Sequence, residues 1–483
     1  MEKQERPEAQ EILACETALI LEEKEEKREP IPADGTDFWF AVIYTILGYS
    51  FAYLLSSGGF AWKFSAFTAG YAVAVLGYLR VKKKTVPRES WFWLAMMLGS
   101  GIPYGFYTSR PVLQVLGTMA LGAYWTLAAG GCLMEEGRTS QWAAADFWNS
   151  IWVVPFGNFS CYFHVLSSGG EEQPGKDAKD TETGEKPEQD GGRGEGQANL
   201  RRLGIKKIGA VFGGLLLSVP ILFVVLPLLA SADDNFGRLV LELPEKISDD
   251  IWSFLVRAVF SLPVTAYLFG LGYGCIYKRK TDRIQREAVR KTGEGVRIVS
   301  DTAVNTALMT ISACYGLFMA LQAQYLFSAF AGIRPETYTY AEYARKGFFE
   351  LCLVAVVNLA VLLMANLFTK TKREESRWLR CLNLLLSVLT LLLISTAMSK
   401  MILYISAYGL TEKRITTMVF MAWLAIVFVL WCACQRRKLP MIRTAVMSGS
   451  AFYVILCVLP LERIVTAQPR TLPASWRSPS API

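Results

Sequence analysis

Residues 337–366 read TYTYAEYARKGFFELCLVAVVNLAVLLMAN, which passes from an aromatic, charged head to a wholly apolar run. Thr339 and Glu342, three residues apart, form a capping box, which predicts a helix that begins near Tyr340 and continues to about Phe368. At 1.5 Å per residue this helix would measure roughly 43 Å, against roughly 30 Å of bilayer hydrocarbon. The apolar run therefore predicts a membrane span, and its charged head is expected to lie outside the lipid.

Long apolar runs recur along the whole chain. Of the 483 residues, 52% are hydrophobic and 12% are aromatic, which exceeds what the core of a soluble protein needs. We therefore predict an all-α fold, a polytopic bundle of about eleven transmembrane helices. The eleven windows are 38–55, 64–80, 91–109, 112–133, 208–230, 253–277, 303–329, 347–368, 381–406, 415–434 and 444–460.

Basic residues cluster at alternate ends of these windows. Five segments that would share one side hold 26 Lys and Arg, against about nine in the opposite loops. Because cytoplasmic loops carry the excess of Lys and Arg, the N-terminus is predicted to be cytoplasmic and the C-terminus to lie outside. The formal net charge of +8 is thus a topology signal, and we expect no nucleic-acid partner. The five segments are 80–88, 201–207, 278–297, 370–380 and 436–443.

Composition also divides the chain into domains. Residues 1–36 and 171–199 are acidic and offer little apolar surface to bury, which predicts a disordered cytoplasmic tail and a disordered linker. The linker separates a four-span block, 37–134, from a seven-span block, 200–461. Residues 462–483 are predicted to form a flexible extracytoplasmic tail.

Between the first block and the linker, residues 135–170 contain an aromatic stretch, 146–168, that is broken by Pro155 and Gly157. If this stretch spanned the membrane, the basic cluster 201–207 would change sides, against the charge rule. We therefore interpret it as an interfacial or re-entrant segment on the cytoplasmic face, and the sequence leaves both forms open.

Residue types that carry chemistry are sparse. His164 is the only histidine, and its neighbours supply no other part of a catalytic triad or of a multi-histidine metal site. Cys432 and Cys434 form a lone C-x-C without further ligands nearby. We therefore expect no catalytic residues, no metal and no cofactor, and a protein that is not an enzyme.

Ionisable and amide side chains inside the predicted spans are the informative residues, because such groups are unfavourable in hydrocarbon. Glu350 and Lys400 fall at similar depth near the outer face on neighbouring spans, so we predict an ion pair. The alternative is that both are end-of-helix charges and that Lys400 reaches the interface. A polar stripe recurs every four residues from Thr396 through Lys400 and Tyr404. The candidate ligand or ion-pair residues are Glu350, Lys400, Gln322, Gln324, Tyr325, Tyr343, Arg345, Tyr404, Arg257 and Asp233.

Other residues within the spans predict helix packing. The pairs Gly101-x3-Gly105 and Gly270-x3-Gly274 each offer a small face for close approach of a second helix. Asn358 is interpreted, together with Asn366, as a source of hydrogen bonds between helices and not as an ion ligand.

Four strings in the second block are distinctive: SADDNF at 231–236, QAQYLF at 322–327, YAEYARKGFFEL at 340–351 and YISAYGLTEKR at 404–414. Together they resemble a family of bacterial multi-pass membrane proteins that is catalogued only as a domain of unknown function. The resemblance covers about 208–430, which leaves the linker and the four-span block outside it. It implies a protein of the bacterial cytoplasmic membrane and brings no established activity.

Two main functional hypotheses follow. The first is a non-enzymatic protein that senses or scaffolds, with a polar site near the outer face and protein partners at its cytoplasmic tails and loops. The second is a secondary transporter or channel that uses Glu350 and Lys400, although we find no internal inverted repeat and no charge deep in the bilayer. A membrane enzyme comes third, because no acid–base or nucleophile constellation is recognisable. Under each hypothesis the protein is expected to be embedded in the lipid bilayer.

Overall fold

The computed structural model describes residues 31–56, 60–106, 110–135, 137–168, 225, 228–229, 231–233, 249–281, 295–321, 348–370, 376–437 and 439–467. Within these ranges the ordered elements are all helices, and two isolated bridges are the extent of β-pairing. The predicted all-α class is therefore confirmed for this part of the chain.

Fourteen α-helices are described. They are α1 (Gly35–Ser56), α2 (Phe60–Val81), α3 (Arg88–Gly101), α4 (Pro111–Ala129), α5 (Ala143–Trp148), α6 (Val154–Gly157), α7 (Phe159–Ser168), α8 (Asp249–Tyr277), α9 (Asp301–Leu321), α10 (Phe348–Phe368), α11 (Arg377–Tyr408), α12 (Glu412–Cys434), α13 (Met441–Val458) and α14 (Leu461–Ala467). A 3₁₀ turn at Pro103–Gly105 follows α3, and a π-helical turn at Asn149–Val153 joins α5 to α6.

Of the described helices, nine are long and apolar enough to cross a membrane: α1, α2, α4 and α8 to α13. Each coincides with one of the predicted windows. Window 91–109 holds α3, which has 14 residues and measures roughly 21 Å. It is shorter than predicted because Pro103 cannot donate the next α-helical hydrogen bond, and the chain tightens into the 3₁₀ turn. Window 208–230 lies almost entirely outside the described residues.

The helix expected from Tyr340 is described from Phe348 onward, where α10 begins. Its capping box and charged head lie outside the described residues. The same is true of the linker 171–199, of most of the tail 1–36 and of residues 468–483, so the predictions made for them stay predictions.

The chain divides into two compact units. The first comprises Met1–Ile46 and Phe159–Ala266, and in it the hydroxyls of Thr45 and Tyr162 lie 2.8 Å apart. The second comprises Leu47–Asn158 and Tyr267–Ile483.

The second unit contains an apolar core formed by α9, α10, α11 and α12. Leu308, Phe348, Leu386 and Phe428 are nearly or fully buried in it, one from each of the four helices. The opposite face of α10 is apolar too, since Leu353 is 65% exposed. An apolar face on each side of a helix is typical of a span that packs inward and faces lipid outward.

Backbone hydrogen bonds join the start of α9 to the end of α10. Val299 N–H donates to the Phe368 carbonyl at 3.0 Å, and Lys370 N–H donates to the Val299 carbonyl at 3.1 Å. The two helices are therefore antiparallel neighbours, as the predicted alternation of spans requires.

Close packing at both glycine pairs is confirmed. A Cβ added at Gly101 would lie 2.6 Å from Thr68 Cγ2, and one added at Gly274 would lie 2.7 Å from Val154 Cγ1. Because real Cβ atoms do not approach so closely, these glycines are what allow the contacts.

The aromatic segment of the second unit is helical and lies against the C-terminal end of α8. Tyr267 OH donates to the Ile151 carbonyl at 3.0 Å, and Asn158 Nδ2 donates to the Arg279 carbonyl at 3.0 Å. Trp152 is 50% exposed on the free side. Its interpretation as interfacial or re-entrant stays a prediction.

The glycine contacts of α8 yield the first testable prediction. Gly274→Ala should lower the free energy of unfolding by about 1–3 kcal/mol, because the methyl group would overlap Val154 and Asn158. Gly316→Ala is the matched control, since a Cβ there meets no atom within 4 Å and alanine favours the helix by up to about 1 kcal/mol. Apparent unfolding midpoints in detergent compare the two variants. Equal midpoints would show that α8 does not pack on residues 154–158.

Candidate functional site

The polar side chains of α11 form two buried groups. Asn383, Ser387, Thr390, Thr396 and Lys400 are each at most 1% exposed. The first three share one side of the helix because they are three and four residues apart, whereas the step of six residues places Thr396 and Lys400 on a different side. Two of the hydroxyls donate to the preceding turn, Ser387 to the Asn383 carbonyl at 2.6 Å and Thr390 to the Leu386 carbonyl at 2.7 Å. The predicted polar stripe that begins at Thr396 is thus separate from the group that ends at Thr390.

Amide groups connect the group that ends at Thr390 to the neighbouring helices. Tyr315 OH on α9 donates to Asn358 Oδ1 at 2.9 Å, and Asn358 Nδ2 donates to Thr390 Oγ1 at 2.8 Å. One turn from the end of α10, Asn366 Oδ1 accepts from Asn383 Nδ2 at 3.1 Å. The interpretation of both asparagines as partners between helices is confirmed.

Lys400 lies deep in the helix interface, toward the end of α11 that is predicted to face outside. It is 1% exposed and lies between the core residues Ala397 and Met401. Glu350, exposed in the first turn of α10, is close enough for a favourable electrostatic interaction with the ammonium. Burial of Lys400 argues against a side chain that reaches the surface, while direct contact with Glu350 stays a prediction.

Arg414 covers the C-terminal end of α11. Its guanidinium carbon lies 4.0 Å from the centroid of the Tyr404 ring, a cation–π contact. It also donates to the carbonyls of Tyr408, at 3.2 Å, and of Gly409. A cation is favoured there because the helix dipole ends in negative partial charge. Gly409, with φ of 75°, ends the helix and brings Arg414 back onto it.

The other predicted site residues belong to the first unit or are not described. Half-buried Arg257 and exposed Asp233 belong to the first unit, whereas Lys400 and Glu350 belong to the second. Five more lie outside the described residues: Gln322, Gln324, Tyr325, Tyr343 and Arg345. Of the candidate residues, Lys400, Glu350 and Tyr404 are therefore the ones described in the second unit.

A cavity of about 260 Å³ lies near the predicted outer ends of α4, α12 and α13. Tyr453 OH forms part of its wall and donates to the Leu113 and Gln114 carbonyls at 3.3 and 3.2 Å. Its lining includes Arg110, Gln114, Thr416, Tyr453, Glu462 and Arg463 beside apolar side chains. No residue of the predicted site lines it, and its two arginines come from opposite ends of the sequence, so no local pattern indicates it.

Sequence reasoning also missed a buried carboxylate outside the candidate spans. Asp146 is fully buried on α5 and accepts the Met134 N–H at 3.0 Å. Burial raises the pKa of Asp146 to about 6, an effect that the Met134 hydrogen bond opposes. In the described ranges, no three side chains of His, Cys, Asp or Glu come together as a metal site.

The arrangement of long apolar helices around a buried polar interface defines an integral membrane protein. The chain belongs to the DUF4153 family, described as a domain of unknown function, whose family model matches residues 93–471. The match extends beyond the region 208–430 that carries the resemblance, and it includes the linker 171–199 and the later part of the four-span block. No curated protein and no solved structure matches the chain.

Substitutions at Lys400 and Glu350 should affect stability in opposite ways. Lys400→Met is expected to leave the unfolding midpoint unchanged or to raise it, because it removes a buried charge while keeping the shape. Glu350→Gln should lower stability by about 1–2 kcal/mol, less than a fully buried pair because Glu350 is exposed. Exposed Lys413→Met is the control. A loss of stability in Lys400→Met with none in Glu350→Gln would exclude the ion pair.

Proposed function

We propose that this protein acts without catalysis as a sensor or scaffold in the bacterial cytoplasmic membrane. It has eleven spans, a cytoplasmic N-terminus and a polar site near the outer face, and it binds protein partners through its cytoplasmic tails and loops. The observation that carries the proposal is the coincidence of buried Lys400, Arg414 and the 260 Å³ cavity at one predicted end of the described helices.

Contacts between helix ends support the alternation of spans on which this placement depends. Lys82 Nζ donates to Tyr277 OH at 2.8 Å, and both residues lie where spans are predicted to end at the cytoplasmic face. Tyr453 and Leu113, both in the predicted outer halves of their spans, are in contact as well. The absolute orientation then rests on the excess of Lys and Arg at the first of these two ends.

The packing of α11 favours sensing over transport. Between Thr390 and Thr396 the buried side chains of the helix are apolar, and Leu393 and Ile394 are each 1% exposed in the core. On either side, the hydroxyls of Ser387, Thr390 and Thr396 donate to carbonyls of the same helix. A ligand at the outer end would therefore act on helix packing and would not find a continuous hydrophilic path along this helix.

Transport is the second candidate, and one observation favours it. Buried polar residues recur on α11 from Asn383 near one end to Lys400 near the other. Buried polar residues and charges in spans often mark the pathways of transporters. A shift of Leu393 and Ile394 would be required to connect the two groups.

Labelling of single cysteines tests the orientation. Lys413 and Arg437 are both exposed, at opposite predicted ends of α12. In a background without native cysteines, Lys413→Cys should react with a membrane-impermeant maleimide in intact cells. Arg437→Cys should react only after the cells are permeabilised. The reverse pattern would place the N-terminus outside and the polar site in the cytoplasm.

Electrophysiology on solid-supported membranes separates sensing from transport. Proteoliposomes of the full chain are exposed to a panel of carboxylates, amino acids and sodium. A sensor should give brief binding currents whose decay is independent of the lipid-to-protein ratio, and Lys400→Met should weaken them while Lys413→Met does not. Currents that decay more slowly as the lipid-to-protein ratio rises, and that are absent in Lys400→Met, would establish transport instead.

A further inference from the structure

A second cavity, at the predicted cytoplasmic end, opens between α3 and α13. It has a volume of about 620 Å³ and is lined by Pro87, Arg88, Glu89, Phe92, Gly137, Arg138, Arg443 and Met447. An adjoining cavity of about 520 Å³ shares Phe92, Arg443 and Met447 and continues past Thr444 and Ser448. The two form one groove, called the inner groove below, with a polar mouth and an extension along the helices.

A buried carboxylate holds the central arginine of the inner groove. Glu89 Oε2 lies 2.8 Å from Arg443 Nη2, and the side chains of Glu89 and Arg443 are 6% and 35% exposed. The other oxygen, Glu89 Oε1, accepts the Thr139 N–H at 2.8 Å. One edge of the Arg443 guanidinium is thus engaged, which orients the remaining N–H donors.

The loop that carries Thr139 is itself fixed. The Thr139 hydroxyl accepts from Trp93 Nε1 at 3.2 Å and from Tyr124 OH at 3.1 Å. Gly137 has φ of 77°, and a Cβ there would lie 3.0 Å from Pro87, so only glycine suits this approach of the loop to α3. The groove is therefore preorganised by contacts among sequence-distant segments.

Charge at the mouth favours an anion. Arg88 and Arg138 are exposed there and Arg443 is part of the same lining, while Glu89 is the one acidic residue among the described lining residues. The three guanidinium groups therefore outnumber the carboxylate in this described part of the groove. Arginine binds phosphate oxygens through paired N–H donors, so a phosphate group fits this mouth better than a carbonyl or an amide.

Below the mouth the groove is mainly apolar. Phe92 and Met447 are half-buried in its wall, and Trp91 and Val446 beside them are 54% and 37% exposed. A free phosphate or nucleotide would leave this apolar surface uncovered, whereas an acyl chain would cover it. An exposed tryptophan near the start of a span is also typical of the headgroup level.

We infer that the inner groove binds one anionic phospholipid of the cytoplasmic leaflet. Its phosphate contacts Arg88, Arg138 and Arg443, and one acyl chain lies along Phe92 and Met447. Basic pockets between spans on the cytoplasmic side suit such headgroups, because that leaflet is rich in anionic lipid. The inference does not depend on the outer polar site.

Thermal unfolding of the full chain in a neutral detergent tests this site. The added probes are dioleoyl phosphatidylglycerol, dioleoyl phosphatidylcholine, and inorganic phosphate with glycerol 3-phosphate. Phosphatidylglycerol should raise the unfolding midpoint by about 3 °C or more, and the other probes should not. The double variant Arg88→Gln, Arg138→Gln should lose most of this rise, and both residues are exposed, so the fold should be retained.

The matched control is Arg436→Gln, Arg437→Gln. It removes the same charge from exposed positions at the same end of the helices but outside the groove lining, so the rise should persist. Equal losses in the two double variants would mean nonspecific attraction to a basic surface. A rise with inorganic phosphate or glycerol 3-phosphate alone would mean a site for soluble anions, and equal rises with the two lipids would mean no headgroup recognition. Each of these results overturns the inference.

Discussion

Hydrocarbon offers no hydrogen-bond partners, so each polar group in a span must find one inside the protein. This constraint accounts for most of the described interface between α9, α10 and α11. Asn358 bridges Tyr315 and Thr390, Asn366 accepts from Asn383, and the hydroxyls of α11 return to their own backbone. Each bond between helices fixes rotation and register at once, because a shift of one residue would leave an amide unpaired in an apolar core.

The same constraint gives Lys400 its position. An ammonium at 1% exposure requires a nearby negative charge or a route to water, and Glu350 supplies the first. At the end of the same helix, Arg414 instead uses carbonyl oxygens and a tyrosine ring. The charges of Lys400 and Arg414 are thus stabilised in two different ways within a few helical turns. Lys400 lies in the core, and Arg414 lies at the helix end, where water is near.

The sequence predicts well those features of the fold that depend on consecutive residues. Length and apolarity identify nine of the described helices as candidate spans, because both properties lie within about twenty consecutive residues. The sequence predicts that Asn358 forms hydrogen bonds between helices. It does not predict that the partners are Tyr315 and Thr390, because pairing depends on how the helices face one another. For the same reason the sequence does not predict the contact between Glu89 and Arg443, which no spacing rule connects. The shortened α3 was missed because the hydropathy pattern was extended past Pro103, although proline is a visible breaker.

The contact between Glu89 and Arg443 has a consequence for how the chain is made. The two residues are about 350 positions apart, on a helix near the beginning of the chain and on the last long helix described. At a synthesis rate of roughly 5–20 residues per second, α3 enters the membrane about 20–70 s before α13 exists. During that interval the carboxylate of Glu89 lacks its arginine, and the inner groove has one wall. Insertion of α13 is then the step that closes the assembly, and a chain truncated before it would retain an exposed apolar seam for quality-control proteases to recognise.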